Sequence, residues 1–253
     1  MRLSETFDRL RRHGEMALMP YVIAGYPNIE RSLEILSTVS ASGADIIEIG
    51  VPFSDPVADG ITIESASQAA LEAGFCLSRF LDRIHDFKLK CPAVLMSYLN
   101  PLLAYGDPLF RDLGRAGMCG LIVPDLPLEE ADDWRSVAES HAIDLIFLAA
   151  PTSADQRVKR IAGATRGFLY AVSVAGTTGI RAELDKNLPE FLDRLRCLTD
   201  KSIAVGFGIS TADHVRALRG RADGAVVGSR LVQAIRDGED LHLIVNTLKD
   251  ATR

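Results

Sequence analysis

The chain has 253 residues, of which 47% are hydrophobic and 25% are charged, and its formal net charge is −6. That length suits one barrel of about 250 residues, or two small domains, and it is enough to bury a large core. The mild acidity excludes the electrostatic surface by which a protein attracts nucleic acid or an anionic membrane.

The N-terminal segment is charged and amphipathic, and it lacks the uninterrupted apolar stretch of a signal peptide. No apolar stretch reaches about 18 residues, so we expect a cytoplasmic protein without a membrane span. Neither the cysteines nor the five histidines have the spacing of metal ligands, and we therefore expect no metal site. We expect the cysteines to be reduced thiols in or near the core, namely Cys76, Cys91, Cys119 and Cys197.

Short apolar runs recur along the chain, and each is followed by a longer amphipathic stretch. Strand-like runs that alternate with helical patterns indicate βαβ units around a parallel sheet, and eight such units are the number that closes a barrel. We therefore predict an α/β fold, a single (β/α)8 TIM barrel over residues 1–253 with short extra helices. The runs are residues 19–24, 45–51, 93–98, 120–124, 144–149, 167–173, 202–206 and 224–228.

Turns and capping residues mark the starts of several predicted helices. One helical segment begins at Asn28 after a turn at Gly25-Tyr-Pro, and two others start with a capping residue and an acidic first turn at Ser153 and Thr211. The main competing fold is a doubly wound open sheet. Such a sheet that binds a dinucleotide carries a GxGxxG turn after its first strand, and this chain has none there. The pattern therefore favours the barrel.

The second apolar run, residues 45–51, carries one carboxylate near its centre. Side chains alternate between the faces of a strand, so Glu48 shares a face with Ile46 and Gly50. The opposite face is continuously apolar and predicts packing against helices, through Ile47, Ile49 and Val51. Glu48 then points into the barrel near the C-terminal rim, where barrel active sites lie. The strand alone leaves a structural ion pair and a catalytic role equally open.

A second carboxylate follows on the loop after this strand. Asp55-Pro and Asp59-Gly are turn-forming pairs, so two turn aspartates are one interpretation. The loop leaves the rim directly after Glu48, however, and it is able to return Asp59 over the mouth of the barrel. Two carboxylates in different environments can take separate acid and base roles. We therefore predict that Glu48 and Asp59 form the catalytic pair.

Glycine-rich segments follow the predicted sixth, seventh and eighth strands. Glycine lets the backbone approach a ligand closely, and the last two segments lead into helices whose N-terminal N–H groups favour an anion. A single glycine-rich segment would be explained by an ordinary turn between a strand and a helix. Three in succession favour a phosphate site, which this fold often builds after its seventh and eighth strands. The segments are residues 173–180, 206–211 and 228–231.

The chain resembles the α subunit of tryptophan synthase over essentially its whole length. The most specific stretch is Glu48-Ile-Gly-Val-Pro-Phe-Ser-Asp-Pro-Val-Ala-Asp-Gly, which corresponds to the family signature with both catalytic carboxylates. The resemblance implies a lyase of tryptophan biosynthesis that cleaves indole-3-glycerol phosphate to indole and glyceraldehyde 3-phosphate by retro-aldol chemistry. Shorter matches lie at residues 98–101, 120–127, 150–153, 170–173, 206–210 and 228–229.

The resemblance also implies roles for individual residues. Glu48 is implied as the general acid and base at indole C3 and at the glycerol hydroxyl. Asp59 is implied to accept the indole N–H, and Tyr170 to orient the substrate. The resemblance further implies an indole pocket formed by Tyr21, Met96, Ile122 and Phe207, with Thr178 above it. It implies a phosphate site formed by Gly179, Gly208, Gly228 and Ser229.

The family resemblance implies no metal and no organic cofactor in this chain. It implies a partner, the β subunit, which holds pyridoxal phosphate in an α2β2 heterotetramer and receives the indole. Residues 176–189 follow the predicted sixth strand and begin with glycine. We expect them to form a mobile lid that closes over the substrate.

The chain departs from the family pattern beside the second carboxylate and after the sixth strand, at Ile61, Glu64, Val174 and Thr177. These positions leave both carboxylates and the phosphate glycines in place, so they bear on the partner and the lid rather than on the reaction. The alternatives are a stand-alone lyase and a non-catalytic regulator of a β subunit, with a phosphosugar isomerase more distant. The intact carboxylate pair argues against a regulator, and the aromatic pocket argues against the isomerase.

Overall fold

The computed structural model describes residues 2–172, 184–206 and 208–253. Within these ranges nine strands form one sheet, and all neighbouring strands in it are parallel. The strands are β1 (Ala17–Ile23), β2 (Ile47–Gly50), β3 (Ala93–Met96), β4 (Met118–Ile122), β5 (Asp144–Ile146), β6 (Leu148–Ala149), β7 (Leu169–Val172), β8 (Ile203–Gly206) and β9 (Gly224–Val227).

Twelve α-helices alternate with these strands in the described ranges, and none of them is both long and apolar enough to span a membrane. Several strand-to-strand connections carry two helices, which are the short extra helices that the sequence predicts. The helices are α1 (Leu3–Arg12), α2 (Ile29–Ala41), α3 (Ile61–Glu72), α4 (Leu77–Ile84), α5 (Leu99–Tyr105), α6 (Leu109–Arg115), α7 (Asp132–Ser140), α8 (Asp155–Ala164), α9 (Leu188–Leu198), α10 (Ala212–Ala217), α11 (Ser229–Asp237) and α12 (Leu241–Asp250), and one 3-10 turn spans Leu128–Glu130.

The sheet is a nearly closed barrel whose fifth strand is split. In the order β5-β4-β3-β2-β1-β9-β8-β7-β6, the two end strands are separated in the chain by Phe147 alone. The carbonyl of Phe147 accepts the N–H of Tyr170 at 3.1 Å, but its own N–H donates to Oγ1 of Thr165 at 3.0 Å rather than to a strand. One missing strand bond therefore divides a single barrel strand into β5 and β6. The predicted (β/α)8 fold is confirmed.

One of the two predicted helix caps is confirmed. The side chain of Thr211 accepts a backbone N–H of the first helical turn at 3.1 Å, and so does Asn28 before α2, at 2.9 Å, where the sequence indicates only the start of a helix. The predicted cap at Ser153 is wrong. Its Oγ accepts the N–H of Ala150 at 3.1 Å and closes the turn that precedes the helix. Helix α8 begins after Ala154, whose side chain makes no capping hydrogen bond.

Apolar side chains form two cores, one on each side of the barrel wall. On β2, Ile47 and Ile49 belong to the outer core beneath the helices, and Ile46 belongs to the inner core, as the alternation predicts. Helix α1 also contributes to the inner core, where the ring of Phe7 lies 5.6 Å from that of Phe168, directly before β7. The N-terminal end of the barrel is thus filled, and open space is left at the C-terminal rim.

All four cysteines lie in the described ranges, and none of them forms a disulfide there. Cys91 and Cys119 are partly buried against the two cores, as expected. Cys76 and Cys197 are exposed, so the expectation of thiols in or near the core is wrong for these two. Both occupy helix ends at the surface, because Cys76 is the N-cap residue of α4 and Cys197 lies in the last turn of α9.

A buried ion pair joins the last helix to the first two strands at the N-terminal end of the barrel. Nζ of Lys249 lies 2.9 Å from Oδ2 of Asp45 and 3.0 Å from Oε2 of Glu15. The same Oδ2 atom accepts the backbone N–H of Leu18 at 2.9 Å. Because one carboxylate binds both a strand amide and a helix ammonium, it fixes α12 against β1.

Replacement of Lys249 by methionine is expected to lower the free energy of unfolding by about 3 kcal/mol, because it leaves Asp45 buried without its closest counter-ion. Urea unfolding followed by circular dichroism measures the change. The matched control is Arg31→Met, which removes an exposed ion pair to Glu34 and should cost less than about 1 kcal/mol. Equal losses in the two variants would contradict the role assigned to the buried pair.

Candidate active site

Glu48 lies inside the barrel near the C-terminal end of β2. Its residue is 1% exposed, and it stands in register with Tyr21 of β1 and Val94 of β3. Among the described residues its Oε2 atom has no hydrogen-bond partner and its carboxyl has no ion pair. The predicted inward orientation is therefore observed, and a structural ion pair does not account for the carboxyl in this part of the chain.

The loop between β2 and α3 brings Asp59 to the same end of the barrel. Gly60 is the N-cap residue of α3, and Ile63 in the first turn of that helix belongs to the inner core. The hydroxyl of Tyr98 accepts the backbone N–H of Ala58 at 3.0 Å and lies beside the Asp59 carboxyl, whose pKa it lowers. These contacts hold the end of the loop against the rim, so that both carboxylates border one space.

An open cavity lies at this rim, and the space in it amounts to about 450 Å³ when the adjoining solvent is included. The structure brings a large part of the predicted site together around it, namely Glu48, Asp59, Tyr21, Met96, Tyr170, Gly208, Gly228 and Ser229. Three further apolar residues border the cavity and were not singled out from the sequence, which are Ile63, Ile209 and Val226. Only their position at the rim distinguishes them from ordinary core residues, and no motif marks them.

Other predicted residues do not border this cavity or cannot be placed against it. Ile122 is fully buried in the inner core and is not part of the cavity wall. Thr178, Gly179 and Phe207 lie outside the described residues, as do the departures Val174 and Thr177 and most of the predicted lid. Of the other two departures, Ile61 and Glu64 are exposed on the first turn of α3.

Two tyrosines of the cavity wall rest on glycines of the neighbouring strand. A Cβ atom at Gly50 would lie 1.9 Å from the hydroxyl oxygen of Tyr21, and one at Gly206 would lie 2.0 Å from that of Tyr170. Each tyrosine stands in register with the residue two positions before its glycine. A side chain at either glycine would push a phenol out of the wall. The sequence signal for this role is a glycine at the last inward-facing position of a strand.

Backbone groups at the far side of the cavity are suited to an anion. Gly228 is the N-cap residue of α11, and Ser229 is the buried first residue of that nine-residue helix. The N–H groups of a first helical turn and the helix dipole favour negative charge. Gly208 adds a backbone with φ of 80°, but α10 after it has only six residues and a weaker dipole. In the described ranges, no group of three or more His, Cys, Asp or Glu side chains could hold a metal ion.

The two carboxyls differ in their tendency to hold a proton. Burial raises the pKa of Glu48 to about 8, and the negative charge of Asp59 adds to the rise. Burial also raises the pKa of Asp59 to about 6, against the hydrogen bond from Tyr98, which lowers it, while Glu64 raises it further. At pH 7 Glu48 is therefore mostly protonated and Asp59 is mostly ionised. The cavity thus holds an acid and an anion side by side.

The fold and the site define a class of protein, a (β/α)8 barrel with a perturbed carboxyl pair and an anion-favouring helix start at its C-terminal rim. The family model described as tryptophan synthase alpha chain matches residues 7–251. The chain belongs to the tryptophan synthase alpha chain family.

Individual relatives agree with this family assignment. The tryptophan synthase alpha chain of Roseiflexus sp. is 47% identical over 238 residues, which cover 92% of this chain and 91% of the relative. The structure of Mycobacterium tuberculosis tryptophan synthase has a TM-score of 0.92 at 38% identity, covering 100% of this chain and 98% of that chain. The tryptophan synthase alpha chain of Legionella pneumophila has a TM-score of 0.89 at 30% identity, covering 99% and 97%.

Replacement of Glu48 by glutamine is expected to stabilise the fold at neutral pH. The pKa of Glu48 is about 8 in the folded chain and 4.5 in its ordinary state, so folding at pH 7 requires proton uptake. The stability linked to this raised pKa is fully present below pH 4.5 and is lost as pH rises toward 8. Glutamine does not titrate, so Glu48→Gln should exceed the wild type by about 3 kcal/mol at pH 7 and by little at pH 4.

Urea unfolding at pH 4 and pH 7 measures this difference. The control is Glu190→Gln, which changes an exposed carboxyl at the surface of α9 and should follow the wild type at both pH values. A Glu48→Gln variant whose stability changes with pH in the same way as the wild type would show that Glu48 does not hold a proton in the folded chain.

Proposed function

We propose that the chain is a lyase of tryptophan biosynthesis that cleaves indole-3-glycerol phosphate to indole and glyceraldehyde 3-phosphate. Membership of the tryptophan synthase alpha chain family supports this reaction. The observation that carries the proposal is the placement of protonated Glu48 and ionised Asp59 in one cavity, opposite an anion-favouring helix start.

Glu48 is proposed to move both protons of the reaction. Because its pKa is raised to about 8, its acid form can donate a proton to indole C3 at neutral pH. The resulting carboxylate accepts the proton of the glycerol hydroxyl, and the O–H electron pair forms the new carbonyl bond. The electrons of the broken carbon–carbon bond return to the indole ring. Glu48 ends in its starting protonation state, so protons and electrons balance.

Asp59 is proposed to stabilise the charge that develops between these steps. Protonation of C3 makes the ring a cation whose charge is shared with the indole nitrogen. An ionised carboxylate that accepts the N–H opposes this charge where it develops, and such electrostatic stabilisation in a water-poor cavity is a large catalytic contribution. The pKa of about 6 leaves Asp59 mostly ionised at neutral pH, as this role requires.

The remaining cavity residues are proposed to bind the substrate. The phosphate is assigned to the first turn of α11 and the adjacent glycines, and its binding energy holds the reacting atoms in place. Tyr170 is assigned to orient the substrate, and Tyr21 and Met96 to contact the indole. The resemblance alone supports a phosphate contact for Gly179 and a place in the indole pocket for Phe207, with Thr178 above it. Ile122 is assigned to the packing behind the indole, since it does not reach the cavity.

We also propose that the chain works in the cytoplasm with a β subunit, and that pyridoxal phosphate belongs to that partner rather than to this chain. Large exposed apolar side chains beside the cavity carboxylate support a partner surface. Val57 and Ile61 flank Asp59 and are 78% and 82% exposed. Ile61 departs from the family pattern, so this contact would be adapted to the chain's own partner.

Indole release from indole-3-glycerol phosphate tests the proposal, with the purified wild type, Glu48→Gln, Asp59→Asn and the surface control Glu190→Gln. We expect wild type and control to release indole and both cavity variants to lose at least about 10²-fold. A β subunit of the family should raise the wild-type rate. No release from wild type under any condition would rule out the lyase, and a rate unchanged by the β subunit would favour a stand-alone enzyme.

The pH profile of kcat/KM should be bell-shaped. The rate should rise as pH passes about 6, because Asp59 must lose its proton, and fall as pH passes about 8, because Glu48 must keep its own. Asp59→Asn should remove the acid limb and retain the alkaline one. A wild-type profile that is flat from pH 5 to pH 9 would contradict both assignments.

A further inference from the structure

Tyr98 connects the two ends of the loop that carries Asp59. Its residue follows β3 and is the N-cap of α5, and its side chain is buried. The ring of Phe53, near the start of the loop, lies 5.4 Å from the Tyr98 ring. The Tyr98 hydroxyl accepts the N–H of Ala58 at 3.0 Å and lies close enough to the Asp59 carboxyl to lower its pKa. One side chain therefore contacts the loop at its beginning and at its end.

The backbone around Tyr98 is itself firmly held. The N–H of Ser97 donates to the carbonyl of Ile122 at 3.0 Å, and the N–H of Leu99 donates to Oδ1 of Asp125 at 2.9 Å. These bonds join the residues on both sides of Tyr98 to β4 and to the segment after it. The phenol is thus a fixed group of the barrel rim rather than part of the loop.

Hydrogen bonds of the loop lie both within it and to Tyr98 in the described part of the chain. The hydroxyl of Ser54 donates to the carboxyl of the neighbouring Asp55, a bond within the loop. The bond from the Ala58 N–H to the Tyr98 hydroxyl joins the loop, one residue before Asp59, to the rim after β3. This hydroxyl therefore fixes the backbone directly before Asp59.

We propose that Tyr98 is a positioning residue that holds the Asp59 carboxylate over the cavity through its hydroxyl. This inference rests on the proposed function, because Asp59 is the carboxylate assigned to the indole N–H. Tyr98 does not line the cavity, so it acts through Asp59 and has no assigned contact with the substrate.

The hydroxyl of Tyr98 also favours the ionised form of Asp59. Its hydrogen bond lowers the pKa of Asp59 against the effect of burial, which raises it. Removal of the hydroxyl therefore raises the pKa above about 6, and less Asp59 is ionised at neutral pH. The titratable groups that face Asp59 from the surrounding elements are Glu48 on β2, Glu64 on α3, Tyr21 on β1 and Tyr170 on β7.

The Tyr98→Phe variant tests this inference, because it keeps the ring and its packing against Phe53 and removes the hydroxyl alone. The Asp59 carboxyl is titrated by ¹³C NMR, with Asp59→Asn used to assign its signal. We expect the titration midpoint to rise by about one pH unit in Tyr98→Phe. The control is Tyr105→Phe, which removes a hydroxyl that donates to Asp112 at 2.9 Å, away from the cavity, and it should leave the Asp59 midpoint unchanged.

Indole release by the same variants gives a second readout. Tyr98→Phe should lower kcat/KM by about tenfold at pH 6 and by less at pH 7.5, where more Asp59 is ionised in spite of the lost bond. In the Asp59→Asn background, Tyr98→Phe should cause little further loss, because the two residues act as a unit. Tyr105→Phe should match the wild type.

An Asp59 midpoint that is the same in Tyr98→Phe and wild type would overturn the inference, as would an equal loss of rate at every pH. If the wild type releases no indole but the midpoint rises in Tyr98→Phe, the proposed lyase fails while the positioning role of Tyr98 stands. The titration needs no substrate, so the two proposals fail separately.

Discussion

An acidic side chain inside an apolar barrel is the constraint on which the site depends. At the N-terminal end of the barrel, Asp45 meets the same difficulty and is neutralised by Lys249. The cavity wall around Glu48 contains no lysine or arginine among the described residues, so burial raises the pKa of Glu48 and the carboxyl keeps its proton. One barrel thus holds a structural carboxylate at one end and a carboxylic acid at the other, and the presence or absence of a nearby cation separates them.

The period-two pattern of β2 was sufficient to orient Glu48, because Ile47 and Ile49 must pack beneath the helices. Alternating apolar runs were likewise sufficient to predict the barrel. The split of its fifth strand was not predictable from the sequence, since apolar residues lie on both sides of Phe147. It depends on whether the Thr165 hydroxyl takes the strand amide, which is a tertiary contact.

The residues of the candidate site likewise divide into those that the sequence predicts and those that it does not. Its polar members carry motif signals, whereas wall residues such as Ile63 and Val226 have the pattern of ordinary core and were missed. Ile122, which was expected in the indole pocket, does not border the cavity that the described residues form. The contact between Tyr98 and the Asp59 loop joins segments that are far apart in sequence, and neither segment carries a motif that predicts it. Local patterns therefore predict which groups react better than they predict what surrounds and holds them.

The two tyrosines that rest on glycines constrain how the residues of the cavity wall can change in evolution, because each tyrosine and its glycine must change together. Gly50 has no room even for a methyl group while the Tyr21 ring is present. The Tyr170 ring excludes a methyl group at Gly206 in the same way. A change at one member becomes tolerable only after the other has become smaller, so the order of mutations matters along any evolutionary path. Gly50 should therefore co-vary with Tyr21, and Gly206 with Tyr170, as two independent pairs. A mutant library that varies only one member of a pair would sample mostly inactive chains.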